Sequence, residues 1–176
     1  MNMKTKERSD PKYPLMVILS DGSRLIIPKQ QNFSNNWLKK HGCSLMAEYI
    51  ALQWLGIKKY PIRLLSWHKK HTPDEIFAKV TVKGVAEGIN KLSDGKAVFT
   101  RTVTAEKISK ALSEGCVVIF EQKNPIHTVI VFRDKDGTYF ASNGSVKKTS
   151  ATRMARTALT STKYRGMITI YKEKTS

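Results

Sequence analysis

The feature that most limits how this chain can fold is the run from Cys43 to Leu55. Leu45, Met46, Tyr49, Ile50, Leu52 and Trp54 fall at helical spacing, and apolar positions appear almost all the way round. A helix with no polar face has to be enclosed, so this one is expected at the centre of the molecule, with the other elements packed around it. Gly56 suits the position just past its end, and Gly42 stands just before its start.

The segments that could enclose this helix can be read from pattern. Leu15–Leu19 and Arg24–Ile27 flank Ser20-Asp21-Gly22-Ser23, which predicts a β-hairpin. Residues 29–41 are polar and read as loop, as does the stretch around Pro61. Thr72-Pro73-Asp74-Glu75 has the residues of a capping box and predicts a second helix. Thr104 opens a third, ending at Gly115, with Ala97–Thr100 as a short strand between them. Cys116–Phe120, His127–Phe132, Thr138–Ser142 and Met167–Tyr171 are β-rich, with a turn over Asp134–Gly137. Helices followed by a meander-like antiparallel sheet make an α+β fold. The length of 176 residues fits one domain over 13–176, with a polar lead-in over 1–12.

The formal charge is +17, from 31 Lys and Arg against 14 Asp and Glu. The excess thickens after Ser145, where Lys147, Lys148, Arg153, Arg156, Lys163, Arg165, Lys172 and Lys174 face only Glu173. Basic residues interleaved with aromatics are missing, so a nucleic-acid partner is open to the chain but not favoured. An acidic peptide or protein suits the charge through steering. No apolar run approaches the roughly 20 residues of a membrane span. The N-terminus as written has no apolar signal region, so the expected compartment is the cytoplasm, or the exterior if a leader has been removed. Two cysteines without a CxxC pair give neither a disulfide framework nor a zinc cluster. His68 and His71, with Asp74 and Glu75 beyond, make a weak metal set.

The two cysteines differ in setting. Cys116 begins an apolar strand and reads as core. Cys43 lies in the first turn of the central helix, where backbone N–H groups have no intrahelical acceptor and the helix dipole is positive. That position favours thiolate over thiol, and the same N–H groups can hold an oxyanion. A thiolate nucleophile also needs an imidazole. His127 opens a strand at the rim of the sheet and can serve as base, whereas His41 is too near in sequence to reach the sulfur correctly. The Asp136-Gly137 turn brings Asn143 back towards His127, where its side-chain carbonyl can accept from the ring.

The order Gln–Cys–His–Asn resembles papain-like cysteine peptidases. More narrowly, it is similar to the bacterial double-glycine leader peptidases found with bacteriocin transporters, and to their stand-alone relatives. The matching stretches are Ile26-Ile27-Pro28-Lys29-Gln30-Gln31, Gly42-Cys43-Ser44-Leu45-Met46-Ala47, His127-Thr128-Val129-Ile130-Val131 and Ala141-Ser142-Asn143-Gly144. Ser44-Leu45 stand where that family has Gly-Pro, and Asn143 where the leader peptidases carry Asp. The resemblance implies a papain-like fold, with the cysteine helix packed on an antiparallel sheet. It gives Gln31, or its neighbour Gln30, the role of oxyanion donor. It implies a peptidase that cleaves peptide or isopeptide bonds through a Cys43–His127–Asn143 triad and a thioester, with no cofactor. The alternatives are an acyltransferase with the same intermediate, and an inert module on the same fold that binds nucleic acid or an acidic protein through its basic surface.

Overall fold

The structure, a computed structural model, describes residues 15–75, 80–122, 127–134, 137–142, 144–150 and 166–173. Two strands, β1 (Leu15–Ile18) and β2 (Arg24–Ile27), form the predicted hairpin in the register Leu15↔Ile27. Five helices follow: α1 (Asn36–His41), α2 (Cys43–Trp54), α3 (Pro61–His71), α4 (Val82–Ser93) and α5 (Ala105–Ser113). Strands β3 (Ala97–Thr100), β4 (Val117–Gln122), β5 (His127–Asp134), β6 (Gly137–Ser142), β7 (Ser145–Thr149) and β8 (Met167–Ile170) make an antiparallel sheet of order β3-β8-β4-β5-β6-β7. The fold is α+β, as the pattern of elements indicated.

The helix α2 is the enclosed element. Nine consecutive residues, Ser44 through Leu52, are buried. It packs on β5 across the sheet, on α3 and α4 at its sides, and on β2. Burial of each of Leu45, Ile50 and Leu52 stabilises this arrangement by about 1.5–3 kcal/mol. Gln53 ties the hairpin to the helix with a reciprocal pair of bonds. Ile26 N donates to Gln53 Oε1 and Gln53 Nε2 donates to Ile26 O, both at 2.9 Å.

Side chains of the large sheet alternate between two cores. Val117, Ile119, Ile130, Phe132, Ala141, Ile168 and Ile170 join the core around α2. Val118, Phe120, Val129, Val131 and Met167 turn the other way and pack with Ile108 and Leu112 of α5. This period of two assigns every β5 residue to one face.

Several elements depart from the sequence reading. Residues 29–41 hold a 3-10 turn (Gln30–Asn32) and α1, whose cap is Asn35, its Oδ1 accepting from Leu38 N at 3.0 Å. With only Leu38 buried, α1 is too short to show a periodic stripe. Pro61 starts α3 rather than interrupting a loop, because proline's missing N–H costs nothing at a first helical position. Thr72 closes α3, and a 3-10 turn over Pro73–Glu75 follows. Residues 76–79 of the helix expected after Thr72 lie outside the described residues. The next helix, α4, is capped by Thr81, whose Oγ1 accepts from Gly84 N at 3.1 Å. Strand β7 was not anticipated, since Ser145–Thr149 carries two lysines and little apolar content. The lead-in over residues 1–12 lies outside the described residues.

Beside α2 lies a sealed polar chain. His68 Nε2 contacts Glu48 Oε2 at 2.8 Å, and His68 Nδ1 contacts Thr72 Oγ1 at 2.7 Å. Thr72 Oγ1 donates to the His68 carbonyl, so it accepts from Nδ1–H. Glu48 and His68 have no exposed surface. Burial, opposed by His68 and then Lys59, pushes the Glu48 carboxyl up from its ordinary range. Gly88 makes room for the pair, because a Cβ there would meet Glu48 Oε1 at 2.1 Å.

A carboxyl raised on folding binds its proton more tightly in the native state, so it contributes stability at low pH that is lost as pH rises. The loss begins above the ordinary value of 4.5 and runs at about 1.4 kcal/mol per pH unit until the folded carboxyl ionises. Glu48→Gln keeps a hydrogen-bonding group of the same size without titrating. Urea unfolding from pH 5 to 9 should show a flatter pH dependence for E48Q than for the wild type, while E48A should be destabilised by about 3 kcal/mol or more.

Candidate active site

Cys43 is the first residue of α2, and its placement is fixed by how α1 and α2 join. Gly42 alone separates them, closing α1 with a bond from its N–H to Leu38 O at 2.9 Å and opening α2 by accepting from Met46 N at 3.0 Å. A Cβ on Gly42 would lie 2.4 Å from Leu38 O, which is backbone and cannot swing aside. Glycine is therefore required here by close approach, since its φ of −83° is ordinary. The joint leaves the sulfur half-buried at the helix tip, facing the start of β5.

Two residues of β5 act on that sulfur. His127 opens the strand, is half-buried, and its imidazole favours the thiolate of Cys43. Thr128 follows, 2% exposed, with Oγ1 3.8 Å from Cys43 Sγ. Burial is the largest influence on the thiol and pushes it up. The His127 hydrogen bond, the Thr128 N–H and hydroxyl, and the His127 charge together outweigh burial and lower it to about 7. Cys116 shows the opposite outcome. It is also buried, and burial and then Glu114 push its thiol up, with no donor to offset them.

The far ring nitrogen of His127, Nε2, is in contact with Ser142 Oγ. Continuing the β5–β6 register of Ile130↔Ala141 by one step puts Ser142 opposite Val129, on the face that carries His127. Sequence reasoning assigned the orienting role to Asn143, which lies outside the described residues. Ser142 went unnoticed because a serine in a Ser-Asn-Gly-Ser turn carries no signal of its own. The alternation of β6 could have found it.

The two glutamines part company. Gln31 is exposed in the 3-10 turn. Gln30 is buried, and its Nε2 donates to Lys39 O at 3.1 Å in the last turn of α1, just before Gly42 and Cys43. The turn at Gly144 packs beside this segment, since a Cβ on Gly144 would meet Lys29 Cγ at 2.7 Å. His41 is exposed and stands against Trp37 rather than the sulfur. His68 and His71 do not converge: His68 turns inward to Glu48, while exposed His71 bonds Trp67 O at 2.9 Å and stacks on the indole.

No protein-family model matches the chain, and no curated protein matches it. Among solved structures it is similar to the crystal structure of a candidate C39-like peptidase from Bacillus anthracis. The match has a TM-score of 0.55 and 16% sequence identity, and covers 91% of this chain and 99% of that one. The chain shares the fold of that protein.

Alkylation by iodoacetamide reports thiolate directly. Cys43 should react with a rate that rises through pH 7, while Cys116 stays slow until well above pH 9. In H127A the Cys43 inflection should move up by about one pH unit or more. Peptide mapping by mass spectrometry separates the two cysteines.

Proposed function

We infer that this chain is a cysteine peptidase, with Cys43 as nucleophile and His127 as general base and acid. The observation that carries this reading is the half-buried sulfur at the tip of α2 facing the start of β5, 3.8 Å from Thr128 Oγ1, where the groups of β5 lower the thiol to about 7. A structural cysteine in such a place goes the other way, as Cys116 does.

The chemistry follows from the placement. The thiolate attacks the carbonyl carbon of a peptide bond, and the developing oxyanion lies beside the free N–H groups of the first turn of α2. The side-chain amide of a glutamine supplies a further donor. Gln31 is the residue the family resemblance points to, and Gln30 is the one whose amide lies against the α1–α2 joint. The imidazolium of His127 gives its proton to the departing amine as the C–N bond breaks, leaving a thioester on Cys43. Water, deprotonated by the same imidazole, releases the acid. Contact of Nε2 with Ser142 leaves Nδ1 as the nitrogen for the sulfur side, and Asn143 remains the proposed third member of the triad. Every proton in this sequence moves between groups of the chain, the substrate and water.

The substrate class proposed is a peptide or protein with acidic character. Lys29, Lys39 and Lys40 stand close in sequence to the glutamines and to Cys43, within a chain of net charge +17. The resemblance to double-glycine leader peptidases adds peptides cleaved after paired glycines as the first candidates.

A peptide pool that includes acidic and Gly-Gly-containing sequences, read for new termini by mass spectrometry, tests the reading. Cleavage should be lost by about a thousandfold or more in C43S and in H127A. Added primary amine should not divert the product into an amide, which separates hydrolysis from acyl transfer. Loss of activity in Q30A but not Q31A, or the reverse, assigns the oxyanion donor, with an expected effect of about a hundredfold on kcat. A wild-type protein that cleaves nothing and whose Cys43 labels no faster than Cys116 would favour the inert binding module.

A further inference from the structure

The pleat of β5 raises a geometric point about the sulfur. Ile130 and Phe132 face the core around α2, while Val129 and Val131 face α5. By that alternation the β5 side chain directed at the tip of α2 belongs to Thr128, whereas His127 belongs to the α5 face. Thr128 is buried, its Oγ1 is 3.8 Å from Cys43 Sγ, and its backbone pairs with Glu121 of β4. A threonine hydroxyl can both accept and donate. Sealed from water, it can accept from the thiol S–H and turn to donate to the thiolate, with no solvent competing for the bond.

We propose that Thr128 is a catalytic residue: its hydroxyl holds the Cys43 thiolate from the sheet side, independently of His127. The proposal rests on the reading of Cys43 as nucleophile and adds a group to it. The consequence is a division of labour. The imidazole can leave the sulfur to protonate a departing amine while the Thr128 hydroxyl keeps its contact with the sulfur. The nearest ionisable groups on the flanking elements are His127 on β5, Glu121 on β4, Lys39, Lys40 and His41 at the end of α1, and Glu48 further along α2. None of them is altered by changing Thr128, so a shift on substitution reports the hydroxyl.

The test is the pH dependence of Cys43 alkylation, which needs no known substrate. Thr128→Val keeps the branched shape and the strand preference and removes only the hydroxyl. T128V should raise the inflection by about one pH unit, while T128S, which retains the hydroxyl, should stay near the wild type. Thermal unfolding checks that each variant is folded, and T128A replaces T128V if valine is not accepted. T128V and T128A inflecting with the wild type overturn the proposal. So does T128S shifting as far as T128V, which would assign the effect to the methyl group's packing. A wild-type Cys43 that titrates as an ordinary thiol overturns both this proposal and the peptidase reading, whereas a low wild-type value with an unmoved T128V overturns the role of Thr128 alone. In the double variant H127A/T128V the inflection should lie above that of either single change.

Discussion

Contact between the tip of α2 and the first residues of β5 is the constraint on which the rest depends. Helix α2 cannot be exposed, so the sheet, α3, α4 and the hairpin close around it, and its N-terminal residue is held wherever that packing puts it. The joint at Gly42 has no freedom to relax, since the backbone of Leu38 fills the space a side chain would need. The position of the sulfur is therefore a property of the core.

Two cysteines in one chain show what that position does. Desolvation opposes ionisation at both. At Cys116 nothing answers it, and the thiol stays protonated through neutral pH. At Cys43 the influence of His127 and Thr128 outweighs it, and the thiol is lowered to about 7. Donors that stabilise a thiolate lower its nucleophilicity as they lower its pKa, and a value near neutral is where ionised fraction and reactivity are best matched.

The chain also holds a second constellation with the look of a triad. Glu48, His68 and Thr72 are linked by short contacts through both ring nitrogens, in the order carboxyl, imidazole, hydroxyl. Enclosure separates it from the site at Cys43: with Glu48 and His68 fully buried, no substrate can approach, and the same bonds act as a lock between α2 and α3. Hydrogen-bond geometry alone does not make a catalytic group, and exposure decides between the two.

Much of this was legible in the residues themselves. The continuous apolar character of Cys43–Leu55 requires a buried helix, Asp21-Gly22 requires a tight turn, and the β-branched runs from Val117 to Phe132 require strands, because each signal is local and repeated. The place of Cys43 at a helix start and of His127 at a strand start was legible in the same way. Helix α3 was hidden because a proline at a first helical position looks like one in a loop, and β7 because an edge strand rich in lysine needs only a neighbour's backbone, not an apolar pattern. Which glutamine lies against the α1–α2 joint, that Ser142 meets the imidazole, and that Thr128 faces the sulfur were settled by register and packing. A shift of one residue along a strand exchanges its two faces, and only the assembled sheet fixes that choice.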